Sequence, residues 1–172
     1  MQYDLFLSRS RRLAPLLFAA AAVAGCATGY GPASLKTGAT VAEATAAMGA
    51  PTGRYPHDGG ERLEYARGPF GKHTYMLDFD PQGRLNGWQQ VLTESRFDDI
   101  RAGMSRDEVL MALGHPSQAR PLSYQQRDLW SYRYDAPFCK WFQVGIDRQG
   151  KVVDTGYGPD PMCDDPQSSD GP

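Results

Sequence analysis

Residues 103–116 read "GMSRDEVLMALGHP", and residues 38–51 read "GATVAEATAAMGAP". Both stretches begin with Gly, carry Ser or Thr two positions later and Glu three positions after that, and close an apolar run with Gly-x-Pro. A Ser/Thr-x-x-Glu capping box starts a helix, whereas Gly followed by Pro ends one. The sequence therefore predicts two short helices at matching places in two copies of one unit.

Strand-like segments follow each predicted helix in the same order. A helix of about eight residues is not stable alone, so each helix must lie on a sheet. The candidate strands are residues 62–67, 73–79 and 84–91 after the first helix, and residues 129–134, 140–146 and 151–157 after the second. The sequence thus predicts an α+β fold with two repeats, each a short helix or helix pair packed on one face of a three-stranded antiparallel meander.

Two turns and one further helix complete this prediction. Residues 80–83 and 147–150 both run Asp-x-Gln-Gly, which suits a type I turn closed by a left-handed Gly. A further short helix is predicted between Thr93, its N-cap, and Gly103, with Phe97 on its buried face. The first repeat has no room for a good equivalent, so the second repeat is expected to carry a helix pair.

The N-terminal residues have the pattern of an export signal. Arg9, Arg11 and Arg12 precede a run of twelve apolar residues at positions 13–24, and small residues follow up to Cys26. This order is typical of a secretory signal peptide. The run is too short for a bilayer, which needs roughly 20 residues. The alternative is a buried alanine-rich helix.

Residues 23–26, Val-Ala-Gly-Cys, resemble a bacterial lipobox. The resemblance implies that Cys26 becomes the first mature residue and carries acyl chains (palmitate among them) on its sulfur and amino group. Several chains on one residue give stable anchoring. Ala27 in the next position is similar to an outer-membrane sorting signal. The expected location is the periplasmic face of the outer membrane, with the bilayer contacted through the lipid anchor.

These patterns divide the 172 residues into five parts. They are a signal peptide at 1–25, a lipidated Cys and linker at 26–34, a first repeat at 35–92, a second repeat at 93–163, and a polar, acidic tail at 164–172 that is expected to be disordered. Loss of the signal removes three Arg and one Asp, so the net charge falls from −2 to −4. No basic stripe remains, and nucleic acid is not expected as a partner.

Two cysteines remain once Cys26 is lipidated. Cys139 and Cys163 allow a single pairing, and disulfides persist in exported proteins. The sequence predicts a bond between them. A pair of reactive thiols is the alternative.

Catalytic and metal-binding motifs are not found in the sequence. The three His lie at no metal-ligand spacing, and no nucleophile, P-loop or dinucleotide motif occurs. Asp78 and Asp80 alternate on a strand as paired carboxylates would, but Asp80 begins a turn and Asp78 is expected on the outer face. We therefore predict no catalytic residue, no metal, no cofactor and no enzyme.

The last strands suggest a surface for a partner. On strand 140–146, Trp141 and Gln143 alternate with residues expected to face the helices, so they should point to the open side of the sheet with Arg133. An exposed Trp beside an Arg is typical of a protein-binding hot spot. The sequence predicts partner binding at these three residues. The alternative is that Trp141 merely covers the sheet or packs on the other repeat.

The repeat itself resembles a known domain. "IRAGMSRDEVLMALGHPS", an aromatic strand and "FQVGIDRQGKV" are similar to the SmpA/OmlA (BamE-like) outer-membrane lipoprotein domain over about residues 93–157, and the match is weaker over 35–91. Two such units in tandem are similar in plan to the β-lactamase-inhibitor-protein fold, whose sheet forms a concave binding face. The resemblance implies a binding or scaffold role in envelope or outer-membrane protein assembly, with a periplasmic or outer-membrane protein as partner. An inhibitor-like module that binds a periplasmic hydrolase is the second hypothesis.

Overall fold

The fold is α+β, as predicted, and contains two four-stranded antiparallel sheets. The computed structural model describes residues 29–67 and 71–163. The predictions for the signal peptide, for Cys26 and for the tail at 164–172 lie outside these residues. Residues 29–34 were assigned to a linker, but they lie on the first repeat, where Pro32 is buried and the Gly29 N–H donates to the carbonyl of Ala47.

Apart from an additional helix, α2, in the second half, the elements follow one another in the same order in the two halves of the chain. The first half contains α1 (Val41–Met48), β1 (Gly53–His57), β2 (Gly60–Arg67), β3 (His73–Phe79) and β4 (Leu85–Gln90). The second half contains α2 (Glu94–Phe97), α3 (Arg106–Leu113), β5 (Gln118–Leu122), β6 (Arg127–Tyr132), β7 (Lys140–Asp147) and β8 (Val152–Pro159). Each sheet has its strands in sequence order, β1-β2-β3-β4 and β5-β6-β7-β8.

Both predicted capping boxes form. The Thr40 hydroxyl accepts the Glu43 N–H while the Glu43 carboxylate accepts the Thr40 N–H, and Ser105 and Glu108 repeat this exchange. The hydrogen bond from the cap's own backbone N–H is the main reason that the pKa of each glutamate lies below its usual value. The cap residues also make equivalent isolated bridges, from Thr40 to Arg84 and from Ser105 to Lys151. These matches are compatible with a two-repeat plan.

The prediction of three-stranded meanders was wrong because each sheet has a further edge strand. These strands, β1 and β5, contain Pro56 and Pro121, and proline lowers the strand signal of a sequence. Proline is tolerated here because an edge strand leaves one side of its backbone unpaired. The turn between β1 and β2 is Asp58-Gly59, both with positive φ, and this dipeptide is a strong hairpin signal.

The predicted helix between Thr93 and Gly103 is shorter than expected. Only Glu94–Phe97 is helical, and the Thr93 side chain makes no cap bond; its hydroxyl pairs with that of Ser95 at 3.1 Å. Phe97 is nevertheless buried as predicted, and Gly103 has φ of 89°. Residues 98–102 are held by turns and by burial of Ile100 in the core rather than by a regular helix.

The helices and sheets alternate in four layers. Ala44 and Met48 of α1 pack on one face of the first sheet, where they join a small apolar core. The opposite face of that sheet is covered by the second half of the chain, because Met76 of β3 shares a larger core with Val109 and Leu113 of α3. The helix α3 therefore lies between the two sheets, and the expectation that helices cover only one face of each sheet was wrong for the first sheet.

Candidate functional site

The second sheet keeps one face free of the two apolar cores, and we call it the outer face. Strand pairing places Gln118 and Arg120 of β5, Ser131 of β6, Gln143 of β7 and Gly156 of β8 in the rows that form it. None of these residues belongs to either core cluster. Gln118, Arg120 and Gly156 are exposed, and a side chain added at Gly156 would meet no atom within 4 Å among the described residues.

Trp141 lies on the outer face but is not exposed as expected. Its side chain is 5 % exposed, and the guanidinium of Arg133 lies over its ring at 5.0 Å from the centroid. Arg133 Nε also donates to Asp160 Oδ2 at 2.8 Å, and both members of this ion pair are largely buried. Trp141 belongs to neither core cluster, so it covers its own sheet rather than packing on the other repeat. The prediction of an exposed Trp–Arg hot spot is therefore wrong.

Gln143 is the half-buried neighbour of this cluster. Its Nε2 donates to Ser131 Oγ at 3.2 Å across the β6–β7 pair. A side chain at Gly158 would stand 2.7 Å from Gln143 Oε1, so the missing side chain there leaves room for the amide. Of the three predicted partner-binding residues, Gln143 is thus the one whose polar end shares the outer face with exposed neighbours.

Cys139 and Cys163 are brought together at the end of the second sheet. The structure has both as exposed free thiols, so the predicted disulfide is not formed in it. A hydrogen bond with Cys139 is the main cause that raises the pKa of the Cys163 thiol to about 11. A raised pKa leaves little thiolate at neutral pH, which disfavours the alternative of a reactive nucleophile. The pair is therefore placed for a structural bond.

We expect the Cys139–Cys163 bond to form in oxidised envelope material. It would close a loop of about 25 residues, which the chain-entropy model values at roughly 3 kcal/mol of unfolding free energy. Non-reducing peptide mapping should recover the two cysteines in one linked peptide, and reduction should lower the melting temperature. The Cys139→Ser variant should melt like the reduced protein and should not respond to reductant. Recovery of both cysteines as free thiols from the envelope would contradict the prediction.

A buried carboxylate joins the two halves of the chain. Glu64 on β2 is fully buried and accepts the N–H of His115 at 3.0 Å, its ring Nδ1 at 2.8 Å and the hydroxyl of Tyr55 at 2.6 Å. Burial, and then the bond with Glu64, raise the pKa of Tyr55. Gly114 makes this approach feasible, because an added Cβ there would lie 2.8 Å from the Glu64 carboxyl carbon.

A second polar contact holds the same interface. Arg62 on β2 pairs with Asp78 on β3 at 2.5 Å and 3.0 Å, and its Nη1 donates to the carbonyl of Met111 in the last turn of α3 at 3.0 Å. Asp78 lies on the sheet face opposite α1, which the sequence predicts to be open but which α3 covers, and the Asp80 carboxylate accepts two turn N–H groups. The two aspartates therefore have structural partners.

No sequence pattern singles out Glu64, Arg62 or His115. Glu64 and Arg62 alternate with Leu63 and Tyr65 along β2, which is the usual pattern of a strand with one face in water. Only the position of the second repeat on that face turns these charged residues into buried ones. His115 fills the middle position of Gly-x-Pro, where the pattern allows any residue. These residues could be recognised from the sequence only if it were known which face each half of the chain presents to the other.

The Glu64 and Arg62 contacts link the layers of the fold, but their arrangement gives little support for catalysis. His115 is oriented by a buried carboxylate, as a general base would be, yet its partners serve the interface. A cleft of about 510 Å³ opens between the first sheet and α3, lined by Arg62, Arg96, Asp99, Asp107 and neighbouring Met side chains. Its charges are of both signs, so it favours neither an anionic nor a cationic ligand.

The described residues contain neither a metal cluster nor a membrane-spanning helix. Within residues 29–67 and 71–163, no three His, Cys, Asp or Glu side chains come close enough to hold a metal ion. No helix in this part of the chain is long and apolar enough to cross a membrane. Comparisons with protein-family models, with curated proteins and with solved structures found no match for the chain. The resemblance to the SmpA/OmlA domain therefore rests on the sequence motifs alone.

Proposed function

We propose that this chain is a lipid-anchored outer-membrane protein, on the periplasmic side, that acts by binding another protein as a scaffold or accessory module in envelope assembly. The observation that carries the proposal is the outer face of the second sheet. The first sheet has α1 on one face and the second repeat on the other, whereas the outer face has no layer over it among the described residues.

The dimensions of the outer face suit the centre of a protein interface. Four strands spaced by about 4.8 Å and an eight-residue β7 give an area roughly 19 Å by 26 Å. Standard interfaces bury about 800 Å² on each partner, so the loops around the sheet would supply the rest. Arg120 and Arg127 flank the half-buried Leu129 on this face, and arginine is enriched in such interfaces.

The charged residues of the interior support a binding role over an enzymatic one. Glu64, Arg62 and Asp78 are used to join the repeats, and Arg133 and Asp160 are used to cover Trp141. We further propose that the two halves are tandem units of the SmpA/OmlA (BamE-like) type, which the matching caps and sheet order support.

The binding proposal can be tested by site-specific photocrosslinking in the native envelope. A benzophenone side chain at Arg120, which is exposed on the outer face, should capture a partner that mass spectrometry then identifies. The control is the same side chain at Ala46, exposed on α1 in the layer farthest from the outer face. Subunits of an assembly machine would support the proposal, whereas a single soluble hydrolase would favour an inhibitor-like module. Equal capture from both positions would contradict a role for the outer face.

We expect Cys26→Ala to move the protein out of the outer membrane. The lipobox-like residues 23–26 motivate this prediction, because the acyl chains on Cys26 would be the anchor. Cell fractionation should find the variant in the soluble or inner-membrane fraction, and palmitate labelling should be lost. Persistent palmitate label on the variant would show that the anchor is elsewhere.

A further inference from the structure

Exposed aromatic side chains gather at the end of the molecule where the described chain begins. The Tyr30 hydroxyl pairs with His73 Nδ1, His73 stacks on Tyr75 at 6.3 Å, and the Tyr75 ring meets Trp88 edge-on at 5.9 Å. Tyr30 is 49 % exposed and Trp88 is 43 % exposed, whereas Trp130 and Trp141 are buried. We call Tyr30, His73, Tyr75 and Trp88 the aromatic ladder.

The ladder is less covered than the matching surface in the second half of the chain, and one residue accounts for the difference. Its Tyr75 lies between Tyr65 and Gln90 in the first sheet, as Phe142 lies between Tyr132 and Tyr157 in the second. Phe142 is covered by Phe97, whose ring stacks on it at 4.3 Å. The residue 65 positions before Phe97 is Pro32, in a single turn of 3-10 helix. A proline ring is smaller than a phenylalanine ring, so Tyr75 is only half-buried where Phe142 is buried.

Two more apolar side chains extend this end of the molecule. Asp135 pairs with His73 Nε2 at 2.8 Å, which holds the loop before β7 beside the ladder. Phe138 in that loop is 80 % exposed. Met162, which is 50 % exposed, is kept nearby because the Cys163 thiol is hydrogen-bonded with the Cys139 thiol. Phe138 and Met162 are therefore exposed apolar side chains in two segments that Asp135 and Cys139 hold at this end of the molecule.

We propose that the aromatic ladder, with Phe138, rests in the headgroup region of the bilayer and fixes how the protein stands on the membrane. This inference rests on the proposed lipidation of Cys26. Four residue steps separate Cys26 from Tyr30, and they span at most about 14 Å. The headgroup and hydrocarbon layers of one leaflet measure roughly 20 Å together, so Tyr30 cannot leave the neighbourhood of the membrane surface.

The chemistry of the ladder fits this occupant. Tyr and Trp have an apolar body and one polar atom, and they concentrate at the boundary between lipid and water. Contact of the aromatic ladder with the bilayer would also give the outer face a defined orientation. β7 starts at Lys140, near the ladder end, and its eight residues extend about 26 Å. The outer face would then stand upright from the bilayer, with its far edge pointing into the periplasm.

The test measures how deeply Trp88 enters the lipid. The protein purified from the membrane fraction is reconstituted in phosphatidylcholine vesicles whose acyl chains carry bromine close to the headgroups. We expect the bromine to quench part of the tryptophan emission, and we expect Trp88→Phe to remove the quenched component. Trp130→Phe is the matched control, since Trp130 is buried in the core and its loss should leave the quenched component in place.

A second measurement separates this inference from the anchor. Intact mass reports acylation directly, and the Cys26→Ala protein tests the ladder without a lipid chain. Vesicle partition of that protein should fall about tenfold when Tyr30, Trp88 and Phe138 are all changed to Ser. Tyr124→Ser, a fully exposed residue beyond β5 at the other end of the sheet, should change nothing. The proposal would be overturned if bromine did not quench Trp88 in the acylated protein. It would also be overturned if the triple substitution left vesicle partition unchanged. Capture of an envelope protein by a crosslinker at position 88 in place of lipid quenching would overturn it too.

Discussion

Trp141→Ala is expected to lower the free energy of unfolding by about 3 kcal/mol, because a nearly fully buried indole leaves a cavity when it is truncated. Trp141 is 5 % exposed beneath the Arg133 guanidinium, so its loss would also leave Arg133 without the ring that it covers. The measurement is the free energy of unfolding in urea, compared between proteins whose m-values are the same. Trp88→Ala is the matched control, since a side chain that is 43 % exposed should change stability far less.

A second variant at Trp141 distinguishes packing from hydrogen bonding. Trp141 Nε1 is buried and finds no partner among the described residues, so Trp141→Phe removes no hydrogen bond. We expect this variant to cost clearly less than Trp141→Ala, because it keeps most of the apolar contact. An unchanged unfolding midpoint for Trp141→Ala would show that the indole is uncovered in solution. It would restore the interpretation of Trp141 and Arg133 as a binding hot spot.

The parts of the fold that local sequence determines were predicted well. The capping boxes at Thr40 and Ser105 and the turns closed by Gly83 and Gly150 depend on neighbours within four residues, and all of them form. The burial of Phe97 followed from the same local pattern. These features need no knowledge of the other repeat, which is why one sequence was sufficient.

The parts that depend on long-range packing were predicted poorly. The sequence predicts helices on only one face of each sheet, yet the other face of the first sheet carries Glu64 against His115, 51 positions away. Trp141 was placed on the correct side of its sheet, but its cover comes from Arg133 and from Asp160 beyond the end of β8. Period-two alternation tells the faces of a strand apart, but it does not reveal which face another layer will cover.

Gly114→Ala is expected to be among the most destabilising single substitutions, at about 4 kcal/mol. Gly114 ends α3 with φ of 78° and ψ of −166°, a region that essentially only glycine occupies, which costs another residue about 1–3 kcal/mol. The added Cβ would also lie 2.8 Å from the Glu64 carboxyl carbon and 3.0 Å from Thr74 Cγ2. Both neighbours are buried in the first sheet, so the two halves of the chain would have to move apart.

Gly103→Ala separates the cost of backbone strain from the cost of the steric clash with Glu64 and Thr74. Gly103 also has a positive φ, of 89°, but an added Cβ there meets no atom within 4 Å among the described residues. It should therefore show the backbone cost alone, about 1–2 kcal/mol.

A double-mutant cycle completes the test. Glu64→Ala removes the carboxyl group that the new Cβ strikes, so Gly114→Ala should cost less in that background than in the wild type. Equal costs for Gly114→Ala and Gly103→Ala, with additivity in the cycle, would show that the repeats do not meet at Gly114 and Glu64. The buried carboxylate would then lose its role as the contact that holds the two halves of the chain together.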